Sequence, residues 1–227
     1  MARGARLPEK GTAEPRRVVW QAGKVLYRVH SRRRDADRFN TTVQDHHFGG
    51  ARFDSTPNDE YVYLYAAPRP VTALVERLVR DLRFDGMGNP RILPRKEVEG
   101  KRLSQVRLAR DVTLVSLRSV PDLNAVQQSD RWLVDSNASE YAFTRRWGHW
   151  LRAEADWAQG FVWSSRLDHP NESLVLFDSR ADSDLVETTG EPPRELDDPD
   201  GLRWLGGKLA NYHVEIGPPG GAHASWS

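Results

Sequence analysis

The sequence predicts an α+β fold, built from small, mainly antiparallel sheets with helices. Several short segments alternate apolar and polar residues as strands do, and two longer segments have the apolar period of a helix. These segments do not alternate regularly along the chain, which disfavours a doubly wound parallel sheet. With 227 residues and 38% hydrophobic content, the chain is long enough to bury one large core.

Composition excludes several classes of protein. The chain has no cysteine, so disulfides, cysteine metal sites and cysteine nucleophiles are excluded. No apolar run approaches the ~18 residues of a membrane span, and the basic N-terminus lacks the apolar core of a secretory signal. The formal net charge of +1 gives no global case for nucleic-acid binding. We therefore expect a cytoplasmic protein that does not bind membranes.

The chain is predicted to hold one domain, over residues 17–217, between two tails. Residues 1–16 carry glycine, proline and scattered charge with almost no apolar period, so we expect a disordered tail. Residues 218–227 are expected to form a flexible tail. Inside the domain, the acidic stretch 178–198 contains a Pro-Pro pair and is predicted to be a loop or partly disordered.

Residues 25–30 alternate as a strand and place Arg28 on one face with Leu26 and His30. An arginine in the interior of a strand is an ion-pair member, a surface residue or a ligand for an anion. The pattern alone leaves all three interpretations open.

Residues 61–82 are predicted to form a strand that runs directly into a helix. Tyr61, Tyr63 and Tyr65 alternate with apolar neighbours, and Pro70 suits the first turn of the helix. Apolar residues then recur with helical spacing, at positions 71, 74, 75, 78, 79 and 82. This element is the strongest secondary-structure signal in the chain.

Glu76 lies off the apolar stripe of this helix, on a second face with Thr72, Ala73 and Arg80. Small residues beside one carboxylate would leave room for a ligand. The alternative is a solvated Glu76 that pairs with Arg80 four residues later. The helical pattern by itself favours the second interpretation.

Other site signatures are weak or missing. His46 and His47 are adjacent, so on a strand they would point to opposite sides, and no HxxxH or HExxH spacing accompanies them. We therefore predict no metal site. Neither a dinucleotide fingerprint nor a P-loop nor a GxSxG elbow is found. Aromatic residues within the helix predicted between positions 137 and 160 are expected in the core: Phe143, Trp147, Trp150 and Trp157.

Four short motifs follow one another in a particular order. Tyr27-Arg28 comes first, followed by the GARF turn at 50–53, then Tyr65 eleven positions before Glu76, and last GFVWSSR at 160–166 before an apolar strand. This ordered set resembles the RES family, which is named for an Arg, a Glu and a Ser. The resemblance covers residues 18–177 and extends to a closing strand at 211–216.

The chain departs from the usual RES pattern at two positions. Trp163 replaces the family's usual Tyr, which is a conservative aromatic change. Ser164 stands where Pro is common, and the spacing favours Ser165 as the serine that gives the family its name.

The resemblance implies a fold similar to the ADP-ribosyltransferase toxins, and the toxin half of an Xre–RES toxin–antitoxin pair. It implies NAD as a substrate, no metal, and an Xre-type antitoxin as a possible partner, with nucleic acid reached only through that antitoxin. Characterised members hydrolyse or phosphorolyse NAD, or transfer its ADP-ribose. The residues carried over are, as catalytic, Glu76, Arg28 and Ser165, and, as NAD-binding, Arg28, Tyr27, Arg52, Tyr65 and Ser165.

Each residue type suits a part of NAD. A carboxylate such as Glu76 would stabilise the positive charge that builds on the ribose as nicotinamide leaves. Arg28 and Arg52 would bind the pyrophosphate through the forked geometry of their guanidinium groups. The ring of Tyr65 would stack on nicotinamide, and Ser165 would bind a ribose hydroxyl or the nicotinamide amide.

Several functions stay open at this point. The first is an NAD glycohydrolase or phosphorylase, and the second an ADP-ribosyltransferase that modifies a protein. A third is a non-enzymatic nucleotide-sensing or protein-binding module. A nucleic-acid binder that uses the basic stretches 32–34 and 145–146 has the least support. The enzymatic interpretation requires that Arg28, Arg52 and Glu76 converge around one cleft.

Overall fold

The computed structural model describes residues 6–179 and 183–219. Five strands form one sheet in the order β1-β6-β7-β8-β3, three form a second in the order β10-β5-β2 with β9 also paired to β5, and β4 pairs with β11. The strands are β1 (Arg17–Trp20), β2 (Val25–Ser31), β3 (Val62–Ala66), β4 (Arg91–Leu93), β5 (Lys101–Leu108), β6 (Val112–Leu117), β7 (Gly160–Ser164), β8 (Glu172–Asp178), β9 (Val186–Thr188), β10 (Arg194–Glu195) and β11 (Val214–Ile216).

Helices pack on the outer faces of the two larger sheets. The α-helices are α1 (Pro70–Leu74), which continues as a π-helical segment (Val75–Val79), α2 (Val120–Ala125), α3 (Trp132–Asp135), α4 (Tyr141–Glu154) and α5 (Pro199–Leu209). Short 3₁₀ segments cover Arg95–Glu97, Ala138–Glu140 and Ala210–Tyr212. Only β6–β7 and β4–β11 pair in parallel, so the predicted α+β class with mainly antiparallel strands is confirmed.

A bent two-stranded ribbon joins the two larger sheets. β1 pairs with β6 in the first sheet, and their continuations β2 and β5 pair in the second. At the bend, the amide of Ala22 donates to Asp111 Oδ1 over 2.8 Å, and the amide of Gly23 donates to the carbonyl of Leu108 over 2.7 Å. The two strands of the ribbon therefore stay next to each other as they pass from the first sheet into the second.

Side-chain alternation sorts the buried residues into three clusters. One face of the five-stranded sheet packs on α4. Of the aromatic residues predicted as core, Trp147 is buried in this cluster, and Phe143, Trp150 and Trp157 are partly buried against it. The opposite face packs against the second sheet, with Leu26 and Leu64 between them. The outer face of the second sheet packs on α1, its π-helical continuation and α5.

The predicted helix after Pro70 differs from the structure in type. Pro70 takes the first helical position as expected, but the α-helical pattern ends at Leu74. The amide of Arg80 then donates to the carbonyl of Val75, five residues earlier, over 3.0 Å. The apolar stripe still packs on the second sheet, so burial of that stripe is compatible with a wider turn.

Hydrogen bonds join part of the predicted N-terminal tail to the domain. The amide of Gly11 donates to the carboxylate of Glu154 over 2.9 Å, and the amide of Glu14 donates to the carbonyl of Ala125 over 2.8 Å. That residues 1–16 form a disordered tail stays a prediction. β9 and β10 lie within the predicted loop 178–198. Residues 1–5, 180–182 and 220–227 lie outside the described residues.

Within the described residues, no helix combines the length and apolar character that crossing a membrane requires.

Candidate active site

The carboxylate of Glu76 lies at the centre of a buried polar cluster. Arg52 Nη2 and Arg80 Nη1 each donate to Glu76 Oε2 over 3.0 Å. Ser165 Oγ donates to Glu76 Oε1 over 2.7 Å. The side chains of Arg52, Arg80 and Glu76 are 3%, 5% and 9% exposed, so water screens their interaction little. Two guanidinium groups against one carboxylate leave the cluster with a net positive charge.

The π-helical segment carries Glu76, and Arg80 directly follows the segment as its C-cap. Single π-helical turns inside α-helices are often found at functional sites, because they change the direction of side chains on one face. The face expected to be open to a ligand is covered instead: Thr72 Oγ1 donates to Asp168 Oδ2, and Arg80 is buried. The pairing of Glu76 with Arg80 is thus observed, but in a buried cluster rather than at a solvated surface.

Arg52 approaches Glu76 from the connection before β3. Its guanidinium carbon lies 5.0 Å from the centre of the Trp163 ring, within the range of a cation–π interaction. Its second terminal nitrogen, Nη1, is buried and has no hydrogen-bond partner among the described residues. Arg52 therefore keeps an unused donor in the cluster.

The backbone around Arg52 is held by tyrosines of β3 and by α4. Tyr65 Oη accepts a hydrogen bond from the amide of Phe53 over 2.9 Å, and Tyr61 Oη donates to the carbonyl of Phe53 over 3.0 Å. Burial, with a smaller effect of the nearby Asp54 carboxylate, raises the pKa of Tyr65 well above its usual range. Tyr65 therefore stays a neutral phenol that positions this turn, in addition to presenting a half-buried ring.

Arg145 of α4 holds the start of the same turn. Its Nη1 donates to the carbonyl of Gly49 over 2.6 Å, and its Nη2 donates to the carbonyl of Asp45 over 3.1 Å. The residue is 1% exposed. Both terminal nitrogens of Arg145 thus bind the turn. Arg145 is therefore not available to a nucleic-acid-binding surface that uses residues 145–146.

Ser165 immediately follows β7 and is completely buried. Besides its bond to Glu76, its Oγ accepts a hydrogen bond from the amide of Asp168 over 3.2 Å. The neighbouring Ser164 Oγ donates to the carbonyl of Arg118 over 3.2 Å instead. Of the two adjacent serines, Ser165 is the one that contacts Glu76, in agreement with the spacing.

Arg28 lies apart from this cluster. It shares the inter-sheet face of β2 with Leu26, as predicted, and its Nη1 donates to the carbonyls of Ala36 and Arg38 over 2.7 and 2.8 Å. Burial, followed by the nearby Arg34 charge, lowers the pKa of Arg28 to about 9. Among the described residues, no hydrogen bond or ion pair joins Arg28 to Arg52 or Glu76. Arg52 and Ser165 contact Glu76, but the expected convergence of Arg28 with Arg52 and Glu76 is not seen in these contacts.

Tyr27 points to the opposite face of β2, toward α1. Its Oη accepts a hydrogen bond from Gln105 Nε2 over 3.1 Å. Its backbone pairs with Ala67 at the end of β3, with N–O distances of 2.7 and 2.9 Å. Tyr27 thus helps to join β2 to the strand that leads into the helix of Glu76.

No three His, Asp or Glu side chains of residues 6–179 and 183–219 are grouped as a metal ion would require.

A comparison with protein-family models decides the family. The RES domain model matches residues 25–197, which include all five residues carried over from the motifs and Tyr27. The chain belongs to the RES domain family.

Solved structures extend this RES assignment to the fold. A chain in the crystal structure of the M. tuberculosis MbcT–MbcA toxin–antitoxin complex is similar, with a TM-score of 0.55 and 15% identity. The similarity covers 83% of this chain and 91% of that chain. The search of curated proteins gave no significant match.

Arg80 and Asp168 contact the candidate site but were not assigned to it from the sequence. The sequence shows that Glu76 and Arg80 are four residues apart and predicts an ion pair at the surface. The pair is buried instead and belongs to the polar cluster. Asp168 is three residues after Ser165, and its carboxylate accepts hydrogen bonds from Thr72 and Tyr212. No local pattern marks those two partners, because both contacts are long-range.

Proposed function

We propose that this RES protein is an NAD-consuming, toxin-like enzyme that cleaves the bond between nicotinamide and ribose. The observation that supports the proposal is the Glu76 carboxylate, fixed by two arginines on one oxygen and by Ser165 on the other. The RES family match over residues 25–197 supports NAD as the substrate.

The proposed reaction uses these groups as follows. The C1′–N bond of the nicotinamide ribose breaks, and nicotinamide leaves with the bonding electrons. Glu76 stabilises the positive charge that develops on the ribose. Water adds to C1′ and releases a proton, which gives ADP-ribose, or phosphate adds and gives ADP-ribose 1″-phosphate. Arg52 binds the pyrophosphate, and the rings of Tyr65 and Trp163 offer aromatic surface to nicotinamide.

The roles of Arg28 and Tyr27 in NAD binding stay predictions. Arg28 donates hydrogen bonds to the carbonyls of residues 36 and 38. Replacing Arg28 would therefore affect activity through this loop even without a direct contact to NAD. The Arg28→Ala variant tests whether activity depends on this side chain at all.

The deciding experiment is an NAD-consumption assay on the purified protein, with and without inorganic phosphate. We expect release of nicotinamide, and Glu76→Gln is expected to reduce the rate by at least ~100-fold, because the amide cannot stabilise the developing charge. Glu60 is exposed, so Glu60→Gln serves as the matched control and is expected to keep full activity.

The products distinguish the possible reactions. ADP-ribose alone indicates hydrolysis, a phosphorylated product that requires phosphate indicates phosphorolysis, and label from radioactive NAD on a protein indicates transfer. Intact NAD after prolonged incubation under both conditions would refute the proposed function.

We further propose that a protein antitoxin of the Xre type binds this chain. The support is the RES family and the similarity to a chain from a toxin–antitoxin complex. A helix-turn-helix protein encoded next to this chain, which co-purifies with it and stops NAD consumption, is the expected result.

A further inference from the structure

Two arginines share one oxygen of Glu76, but the structure anchors them differently. Arg80 Nη2, the nitrogen not used for Glu76, donates to the carbonyls of Val134, over 3.3 Å, and Ser136. The Arg80 guanidinium also lies 5.6 Å from the centre of the Tyr141 ring. Three elements therefore fix its position: its own helix, the end of α3 and the start of α4.

The backbone of Arg80 is fixed as well. Arg166 Nη2 donates to the carbonyl of Arg80 over 2.6 Å, and Arg166 Nη1 donates to the carbonyl of Asp135 over 2.7 Å. The Arg166 side chain thus connects the end of the helix of Glu76 to the segment 134–136, where two carbonyls accept hydrogen bonds from Arg80 Nη2. Arg80 can move away from Glu76 only if several backbone contacts break together.

Arg52 is anchored less firmly at its guanidinium. It lies 5.0 Å from the centre of the Trp163 ring, but its hydrogen bond to Glu76 is the one hydrogen bond of that group within the described residues, and its Nη1 is buried without a partner. Arg80 also has a buried nitrogen without a partner, Nε, but both of its terminal nitrogens are already bound, to Glu76 and to backbone carbonyls. A buried donor without a partner costs free energy, which an anionic ligand would recover by accepting its hydrogen bond. Arg52 is thus the arginine that breaks fewer hydrogen bonds on leaving Glu76 and still has a terminal nitrogen to offer to an anion.

We propose that Arg80 is the positioning residue that keeps Glu76 in place, while Arg52 moves from Glu76 to the anionic part of the substrate. The inference rests on the proposed function and divides the two cations between two tasks. Because Glu76 keeps its hydrogen bonds with Arg80 and Ser165 after Arg52 has left, its carboxylate stays oriented toward the ribose.

Matched variants separate the two tasks in kinetics. Arg80→Gln is expected to lower kcat about 10-fold or more with KM for NAD changed less than about twofold, since Glu76 is misplaced while Arg52 still binds substrate. Arg52→Gln is expected to raise KM about 10-fold or more. Arg80→Lys should recover part of the kcat that Arg80→Gln loses, because its ammonium group keeps a positive charge beside Glu76. The recovery is partial, because an ammonium group cannot also donate to the carbonyls of residues 134 and 136 as the guanidinium does.

Crystal structures of the ligand-free variants test the same inference without any activity. The hydrogen bond between Ser165 and Glu76 should survive in Arg52→Gln and be lost in Arg80→Gln. If both variants keep it, or if Arg52→Gln alone loses it, the inference is overturned.

Other outcomes also decide the question. An Arg80→Gln variant that raises KM while kcat is unchanged would contradict the division of tasks, as would an Arg80→Lys variant no better than Arg80→Gln. If Arg80→Gln does not fold, Arg80→Lys decides through the same split between kcat and KM. Wild-type protein that leaves NAD intact refutes the proposed function alone, because the two structures still report on Arg80.

Discussion

His30 is a buried histidine that the fold keeps neutral. It is 5% exposed, its Nε2 lies 2.8 Å from Ser104 Oγ, and its Nδ1 lies 3.0 Å from the carbonyl of Ser31. Burial, followed by the charges of Arg28 and Arg102, lowers the pKa of His30 to about 3. Protonation in the folded state would add a positive charge near the buried Arg28 and the half-buried Arg102.

Stability should therefore depend on pH through His30. Between pH 3 and 6.5 the unfolded chain binds a proton at this histidine and the folded protein does not, so acidification favours unfolding. As the pH falls below 6.5, the free energy of unfolding of the wild type should decrease relative to that of His30→Gln by about 1.4 kcal/mol per pH unit. Urea unfolding of both proteins at pH 7.5, 6.0 and 5.0 measures the difference, and parallel curves would contradict it.

At the scale of single residues, sequence reasoning was right about faces and incomplete about partners. Alternation along β2 put Arg28 with Leu26, which is correct. That the carbonyls of residues 36 and 38 cover Arg28 depends on how the next loop folds back, and no local pattern encodes this. The motif spacing of the RES resemblance favoured Ser165 over Ser164, and Ser165 is the serine that contacts Glu76.

At the scale of elements, β7 packs so closely that one of its residues has no room for a side chain. A Cβ atom on Gly160 would lie 2.2 Å from the carbonyl oxygen of Val175 and 2.9 Å from Leu114 Cδ2. Both neighbours belong to adjacent strands of the same sheet, so backbone would have to shift. Close approach, rather than a special backbone angle, explains this glycine.

Gly160→Ala is consequently expected to lower the free energy of unfolding by about 2 kcal/mol or more, as overpacking of a core does. Gly207 in α5 is the matched control, because a Cβ there meets no heavy atom within 4 Å. Gly207→Ala should raise the free energy of unfolding by about 0.5–1 kcal/mol through helix propensity. Chemical denaturation of the three proteins compares them, and equal midpoints for wild type and Gly160→Ala would show that the strands can separate at little cost.

The helix of Glu76 illustrates how far an element can be predicted. Pro70 and the apolar stripe located its start and its buried face correctly. The change to a π-helical turn at Val75 was not predicted, because the apolar spacing is compatible with either pattern. The contacts that Arg80 makes at the end of this turn, with the carbonyls of residues 134 and 136, come from a distant segment and have no local signature in the sequence.

At the scale of the whole molecule, Asp168 connects the C-terminal part of the chain to the candidate site. Tyr212 Oη donates to Asp168 Oδ1 over 2.9 Å, Thr72 donates to the other oxygen, and the amide of Asp168 donates to Ser165. Burial, together with the hydrogen bond to Asp168, raises the pKa of Tyr212 to about 12. The hydroxyl thus stays a donor to the carboxylate at neutral pH.

Tyr212→Phe is expected to cost about 1–2 kcal/mol of stability, since one oxygen of Asp168 loses its donor. Thr72→Val removes the donor to the other oxygen. A double-mutant cycle should give a coupling free energy of at least about 0.5 kcal/mol, because both side chains act on one carboxylate. Additive losses in the cycle would show that Asp168 does not transmit an effect between the C-terminal segment and α1.

The bent ribbon also bears on how such a protein can change during evolution. Along the chain, membership of the two larger sheets alternates: β1 belongs to the first, β2 to the second, β3 to the first, β5 to the second and β6 to the first. No single recombination point can therefore exchange one sheet and leave the other intact. An exchange of one whole sheet would need several crossover points along the chain, one at each change of sheet.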